Sequence, residues 1–380
     1  MFTVLDDFRD EYGIQAQWLG LIVGVGFFSS FVAQIFLAPV ADRGHARQLV
    51  IAGVLLNVIG LVVMAFGTSL MPLLLGRFVS GIGVGMSFPA IRRIVVNADP
   101  DNLGNNLGLL LSSDVAGFAA GPALSAIMVP TLGLSAPFLT IAALSLCCLP
   151  VVFMVAMVEG EVVPGSAQGR RFAFDLLRSR PMMAAMLMGA CLFLMIGTFD
   201  ALWAVVLDDL DAGEFVANLG ITIFALPLVF LGAYGGRLAQ RVGPFRLGPL
   251  GLLVGACFMF MYGLMPTGLA MLAVGGVHAV CDGLTVSSTA VAVGMVAPAE
   301  RQAGAQGMLG AAETLTGGVT AVLAGVLYSW GGRVLAYTTC SVIMITLAVG
   351  AYALAGPEYR LRRAPDELVL DPASAVTGHA

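Results

Sequence analysis

The segment "APVADRGHAR", residues 38–47, closes a long apolar run and turns the chain with one acid and two arginines. A related segment, "GRLAQRVGPF", stands at residues 236–245, which lays Arg43 over Arg241 and Asp42 over Gln240. Further upstream, "LDDFRDEYGIQAQWLGL" (5–21) lies over "LDDLDAGEFVANLGI" (207–221), the second copy two residues shorter. The chain therefore carries a weak duplication with a period near 200 residues. Such halves are a known build among membrane proteins that hold a small molecule between two repeats near the bilayer midplane.

Composition agrees with a membrane setting. Of 380 residues, 59% are hydrophobic and 11% charged, and mean hydropathy is +0.95. A soluble surface cannot be covered with so few polar groups. A helical span needs about 20 apolar residues, and eleven runs qualify: 17–40, 48–67, 70–95, 105–129, 134–158, 182–206, 216–239, 246–265, 268–296, 303–328 and 334–355. These divide into an N-terminal membrane half (1–158), a linker (159–181), a C-terminal membrane half (182–356) and a tail (357–380) expected to be disordered. The linker ends in a basic amphipathic piece suited to a membrane surface. All eighteen basic residues are arginine. Alternation of the spans puts fifteen of them at one end, which the positive-inside rule makes cytoplasmic, together with the C-terminus.

Some functions are disfavoured at this stage. The six cysteines all fall in spans with no Cys/His spacing for a metal and no disulfide framework, and read as small buried hydrophobes. With a net charge of -5 and no basic cluster outside the membrane loops, nucleic-acid binding is not expected. No nucleophile–base pair, cofactor motif or soluble output domain marks an enzyme or a receptor.

The repeat also predicts an absence. Leu5-Asp6-Asp7 pairs with Leu207-Asp208-Asp209, which sets Met1 over Trp203 and leaves the helix before Trp203 without a partner in the first half. Two readings follow: a frame that begins upstream of Met1 and supplies a first helix, or a true eleven-span chain whose N-terminus faces outside.

These residues resemble the major facilitator superfamily, and more narrowly its twelve-span drug:proton antiporters. The resemblance implies an all-α membrane fold of two six-helix pseudo-repeats, here lacking the first helix. The family's loop G-x-L-A-D-R-x-G-R-K corresponds to "APVADRGHAR", with Asp42, Arg43 and Arg47 in place and Ala38, His45 and Ala46 departing from it. Its second copy keeps Gly236, Arg241 and Gly243. Asp42 is either a latch to the other half or one charge of a solvated turn that sets topology. "LLLGRFVSGIGVG" resembles the R-x-x-x-G-x-G signature through Arg77, Gly81 and Gly83. Arg77 either faces a polar cavity and takes part in coupling, or snorkels to the interface. "GLLLSSDVAGFAAGP" (108–122) matches the antiporter signature at Gly108, Gly117, Gly121 and Pro122, with Ser125 and Ala126 replacing its final glycine pair. Small residues let helices approach closely and a proline permits a bend. The resemblance implies export.

Four acids fall inside spans: Asp114, Asp200, Asp282 and Glu313. Intramembrane carboxylates usually face a cavity or a partner, and desolvation favours the neutral form, as a proton carrier requires. An offset of 199 pairs Asp114 with Glu313, whereas an offset of 200 pairs Gly117 with Gly317. Both acids stand about 15 Å into their spans, and in the family their helices border the cleft. His278 and Asp282 are spaced i, i+4 on one helix face, either as a proton relay or as a simple interhelical hydrogen bond. Asp200 and Trp203 offer a surface for lipophilic cations, unless Trp203 is an interfacial anchor. Met182, Met183, Met186 and Met188 read as packing.

The sequence thus predicts a monomeric, cofactor-free plasma-membrane transporter that moves small amphipathic molecules against protons. Proton-coupled uptake of a metabolite is the alternative. Expected coupling residues are Asp114, Glu313, Asp282, His278 and Arg77.

Overall fold

In hydrocarbon every backbone N–H and C=O needs a partner within its own segment, so each apolar run folds as a helix. The computed structural model describes residue 8, residues 11–154 and residues 172–361, and its principal elements are helices. In chain order these are α1 (Ala16–Val40), α2 (Ala46–Phe66), α3 (Leu70–Ala98), α4 (Leu103–Leu132), α5 (Ser135–Met154), α6 (Arg180–Asp209), α7 (Gly213–Val242), α8 (Pro244–Leu264), α9 (Gly268–Thr285), α10 (Ser288–Val296) and α11 (Gln302–Leu361). Most of the expected linker and the tail beyond residue 361 lie outside the described residues.

Breaks between helices fall where the backbone chemistry permits them. Gly243, at φ 103°, ends α7, and Pro244 opens α8 at its first turn, the usual asymmetry of glycine after a helix and proline at its start. At 1.5 Å per residue α11 is about three bilayers long. Its backbone leaves helical geometry at Gly331 and at Gly332, whose φ of 66° disfavours a side chain, and again at Gly356. Likewise α1 and α2 are separated by a five-residue turn, Ala41–His45, in which Gly44 has φ 86°. Consequently the described residues hold nine continuous stretches long and apolar enough to span a membrane, where the sequence suggested eleven runs. Trp18–Phe66 and Ala299–Pro357 each contain two of those runs, joined through these breaks.

The helices sort into two halves. In the first, α3 is the central element: α1 and α2 pack along it and α5 backs onto α2. Gly83 fits against the Gly53 carbonyl and Gly76 against that of Gly60, so α2 and α3 meet nearly backbone to backbone. In the second half α6 is central and packs on α11 and α8, while α9 lies against α7. Its interior is one large cluster that includes Met182, Met188, Trp203, Met259, Tyr262 and Tyr337. Met182, Met186 and Met188 at the start of α6 are packing residues, as expected. Of the cysteines, Cys191 and Cys340 are buried, but Cys147, Cys148 and Cys257 are exposed on helix surfaces. Burial was the wrong expectation for those three, because a thiol is apolar enough to face lipid.

Two seams join the halves. Along α4 and α7, Gly104 meets the Gly236 carbonyl and Gly108 meets that of Gly232. Along α1 and α11, Ala38 and the Gln34 carbonyl face Gly307, and the Gln34 side chain faces Gly310. By contrast, a side chain placed at Gly117 or Gly121 would meet nothing within 4 Å. A direct test follows. Gly108→Ala should destabilise the purified protein by roughly 1–3 kcal/mol through overpacking. Gly117→Ala should leave it unchanged or raise its thermal midpoint, since alanine is the better helix former by about 1 kcal/mol.

Candidate functional site

The turn after α1 places Asp42 at the boundary between halves, 6% exposed. Its carboxylate accepts hydrogen bonds from the backbone N–H of Ala303 (2.9 Å) and of Gly304 (2.7 Å), and from Arg93 Nε (3.1 Å). Ala303 and Gly304 lie in the first turn of α11, where N–H groups have no partner in the helix and the dipole is positive. An acid of the first half therefore caps a helix of the second, with a buried arginine balancing its charge. The Asp42 carboxylate is thus buried between the halves, in contact with both.

The second copy repeats the device without the charge. Gln240 Oε1 accepts from the Gly104 N–H (2.7 Å), and its Nε2 donates to the Asp101 carbonyl (2.8 Å). Gly104 opens α4 of the first half. Asp42 and Gln240 thus each reach from one half to a helix N-terminus of the other, at equivalent positions of the repeat. Sequence reading registered Gln240 only as the loss of an acid. Its signal was the offset: position 42 maps to 240 and position 104 to 304 under nearly the same shift. Around this core, Gly236 makes the α4–α7 contact and Gly243 turns the chain, while Arg241 is exposed at the end of α7. Arg43 and Arg47 flank the turn, each with its Nε buried.

The linker adds a strap over the same end. Phe174–Arg178 forms a 3-10 turn in which Asp175 takes a two-pronged contact from Arg301. Arg301 Nη2 also donates to the Phe172 carbonyl (3.0 Å), and the Phe172 ring stands edge-on to Phe36 of α1 (5.7 Å).

Deeper in the seam, Arg92 of α3 points across to α11. Its Nη1 is 4.0 Å from Glu313 Oε2 and 3.4 Å from Gln306 Oε1, and its guanidinium lies over the Phe88 ring at 4.6 Å. Arg92 and Glu313 are 14% and 7% exposed. At that separation a unit pair is worth about 4 kcal/mol at an effective dielectric of 20, before desolvation is set against it. Asp114, on α4, is exposed and within reach of the Arg92 charge. Arg92 thus contacts one of the two acids paired by sequence, Glu313, and acts on Asp114 only at a distance. Sequence reading had counted Arg92 only toward topology.

The remaining acids lie apart. Inside the second half, Asp282 Oδ2 is 3.5 Å from His278 Nε2, and His278 Nδ1 is 2.9 Å from the Tyr262 hydroxyl. Phe258 stacks on the imidazole at 4.8 Å and Phe224 meets it edge-on. A Tyr262 O–H donating to Nδ1 leaves Nε2 as the protonated nitrogen facing Asp282, to which it makes no hydrogen bond. A cavity of about 10 Å³ beside Asp282, lined by Thr285, Thr289, Met195 and Leu252, has room for about one water. Trp203 is 2% exposed, stacked on Phe199 and edge-on to Tyr262, whereas Asp200 is exposed. Arg77 sits beside Gly26 with its guanidinium 6.0 Å from the Phe27 ring and its Nε buried without a hydrogen bond. Tyr262 was not foreseen, because nothing in the local pattern of α8 points to α9.

Two apolar helical halves that cap each other across a glycine seam form a two-half helical membrane bundle. The Major Facilitator Superfamily pattern matches residues 1–208 and 185–377, and the chain belongs to that family. It is 24% identical over 129 residues to the quinolone resistance protein NorA of Staphylococcus aureus, a match covering 34% of this chain and 33% of that protein. It is 22% identical over 249 residues to the multidrug resistance protein MdtG of Dickeya zeae, covering 63% and 61%. The chain thus aligns with only part of these relatives' length. Its fold resembles that of the human organic anion transporter MFSD10 (TM-score 0.70, 15% identity, covering 93% of this chain and 88% of that one). It also resembles the proton:xylose symporter XylE (TM-score 0.74, 14% identity, covering 93% and 91%).

Removing the Asp42 carboxylate leaves Arg93 buried and unpaired, a defect of about 3–5 kcal/mol. Asp42→Ala should lower the thermal midpoint and reduce transport at least tenfold. Adding Arg93→Ala should cost less than the sum of the single changes, as a double-mutant cycle on thermal unfolding would show.

Proposed function

We propose that the chain exports small amphipathic molecules against proton entry by alternating access. It works as a single copy in the plasma membrane with its arginine-rich end and C-terminus in the cytoplasm. The observation that carries this reading is the Arg92–Glu313 contact, a titratable acid and a permanent cation facing each other across the seam between halves. An acid there can couple protonation to the packing of the halves, because its charge state changes an attraction that crosses the moving boundary.

Export is supported by the printed names of NorA and MdtG, both resistance proteins, and by the glycine spacing of α4. The cation-attracting role falls to exposed Asp114 and Asp200, and proton uptake to Glu313 with Asp282 and His278. Uptake of a metabolite by proton symport would use the same acids with substrate moving the other way.

Everted vesicles carrying an imposed pH gradient test the reading. A lipophilic dye should accumulate inside them when the lumen is acidified, and Glu313→Gln should reduce the initial rate at least tenfold. Accumulation driven by the opposite gradient would favour uptake. Gradient-driven transport that is unchanged in Glu313→Gln, Asp114→Asn and Asp282→Asn would remove the acids from coupling.

A further inference from the structure

We infer that the second half holds a resident sodium ion at the α9–α10 junction, bound by the Asp282 carboxylate together with the side-chain oxygens of Thr285 and Thr289. The site stands on its own geometry and does not depend on the direction or the driving force of transport. With sodium on Asp282, proton uptake is left to Glu313.

Asp282 is an acid without a counterpart. It is 4% exposed and lines the small cavity between α6, α8 and the α9–α10 junction. Among the described residues no hydrogen bond reaches its carboxylate and no arginine pairs with it. His278 Nε2 stands 3.5 Å from Oδ2 without a hydrogen bond, and Tyr262 holds the other side of that ring. A carboxylate in this setting is costly as an anion, and a bound cation removes both the net charge and the unmet acceptors.

The other polar atoms at the cavity offer lone pairs and no free proton. Thr285 Oγ1 donates to the Cys281 carbonyl (2.9 Å) and Thr289 Oγ1 to the Val286 carbonyl (3.2 Å), so both hydroxyls keep their lone pairs for a ligand. The Thr289 N–H turns to the Val286 carbonyl (3.3 Å), which leaves the Thr285 carbonyl without its helical donor. Carbonyls loosened at an interrupted helix are a recurring cation setting inside membranes. Ser288, whose Oγ is buried without a hydrogen bond, packs against Gly248, another residue of the lining. Leu192, Met195 and Leu252 close the cavity with side chains that donate nothing.

Size and charge select the ion. About 10 Å³ takes one occupant the size of water. Sodium is smaller than that, whereas potassium needs more room. One carboxylate balances one positive charge, and a divalent ion would leave the second unmet in an apolar interior. Among the described residues no group of three His, Cys, Asp or Glu side chains exists for a transition metal.

Every wall of the cavity belongs to the second half, from α6, α8, α9 and α10. The ion therefore ties four helices of one half together and stays off the boundary between halves. That position makes it a resident of the fold and not a passenger.

Thermal unfolding of the full purified chain tests the site, with sodium, potassium, calcium or choline chloride at equal ionic strength. Sodium should raise the thermal midpoint saturably, while potassium and choline should not. Equilibrium binding of radioactive sodium should saturate at one ion per chain. Asp282→Asn should abolish both the binding and the sodium effect. Thr289→Val should weaken sodium affinity about tenfold. Should Asp282→Asn fail to fold, Thr289→Val and Thr285→Val carry the test, each with that loss.

A midpoint indifferent to sodium, or a sodium effect that survives in Asp282→Asn, would overturn the site. Equal stabilisation by calcium would overturn its assignment to sodium. In everted vesicles a sodium gradient without a pH gradient should drive no dye transport, and transport under that gradient would end the resident role. Sodium binding in a chain that shows no proton-driven transport would leave the site standing and remove the export reading. Proton-driven export by a chain that binds no sodium would do the reverse.

Discussion

The structure depends on helix N-termini that are capped from the opposite half. An α-helix leaves its first N–H groups without partners, and inside a membrane protein those groups have little water to turn to. Here α11 finds them in the Asp42 carboxylate and α4 finds them in the Gln240 amide. Each cap satisfies a local need of one half by a contact that exists only while the halves are together at this end. The requirement that makes the helices stable also sets the free energy of opening. Charge-assisted hydrogen bonds are worth about 1.5–3 kcal/mol each, and two at the Asp42 site, from the Ala303 and Gly304 N–H groups, cross the seam, so a few such contacts suffice to bias a two-state rotation.

The glycine seam and the Arg92 contact are built on this constraint. Gly104 and Gly108 allow α4 to approach α7 closely enough for Gln240 to reach a backbone amide. Gly307 and Gly310 do the same for α1 and α11 beside Asp42. Once the seam is that narrow, Arg92 spans it with one side chain. The Asp42 cap joins the halves through hydrogen bonds to a helix N-terminus, and the Arg92–Glu313 pair joins them by a charge contact deeper in the same seam. The Tyr262–His278–Asp282 cluster lies off the seam, inside the second half, where Tyr262 is hydrogen-bonded to His278 Nδ1 and His278 Nε2 is buried without a hydrogen bond.

Much of this was legible from the chain, and the misses share a cause. Span positions followed from apolar runs, and the two-half build followed from matching "APVADRGHAR" with "GRLAQRVGPF". Asp42 could be named because a charged turn between apolar helices is conspicuous. Gln240, Arg92 and Tyr262 were passed over because their partners stand 136, 221 and 16 positions away on other helices, a pairing that no local pattern encodes. The glycines of α4 show the same limit. Gly108, Gly117 and Gly121 are equivalent by spacing, yet only the first meets another helix, since α7 runs along one end of α4 and leaves the other end open.

Hydrogen–deuterium exchange in the Asp42→Ala protein tests the central claim most directly, namely that the two caps form one mechanical unit. In the parent, amides of segments 302–308 and 103–108 should exchange slowly. Loss of Asp42 should speed exchange in both segments, because opening one seam opens the other by rotation of whole halves. Faster exchange confined to 302–308, with 103–108 still protected, would show that the caps act separately and would contradict the account.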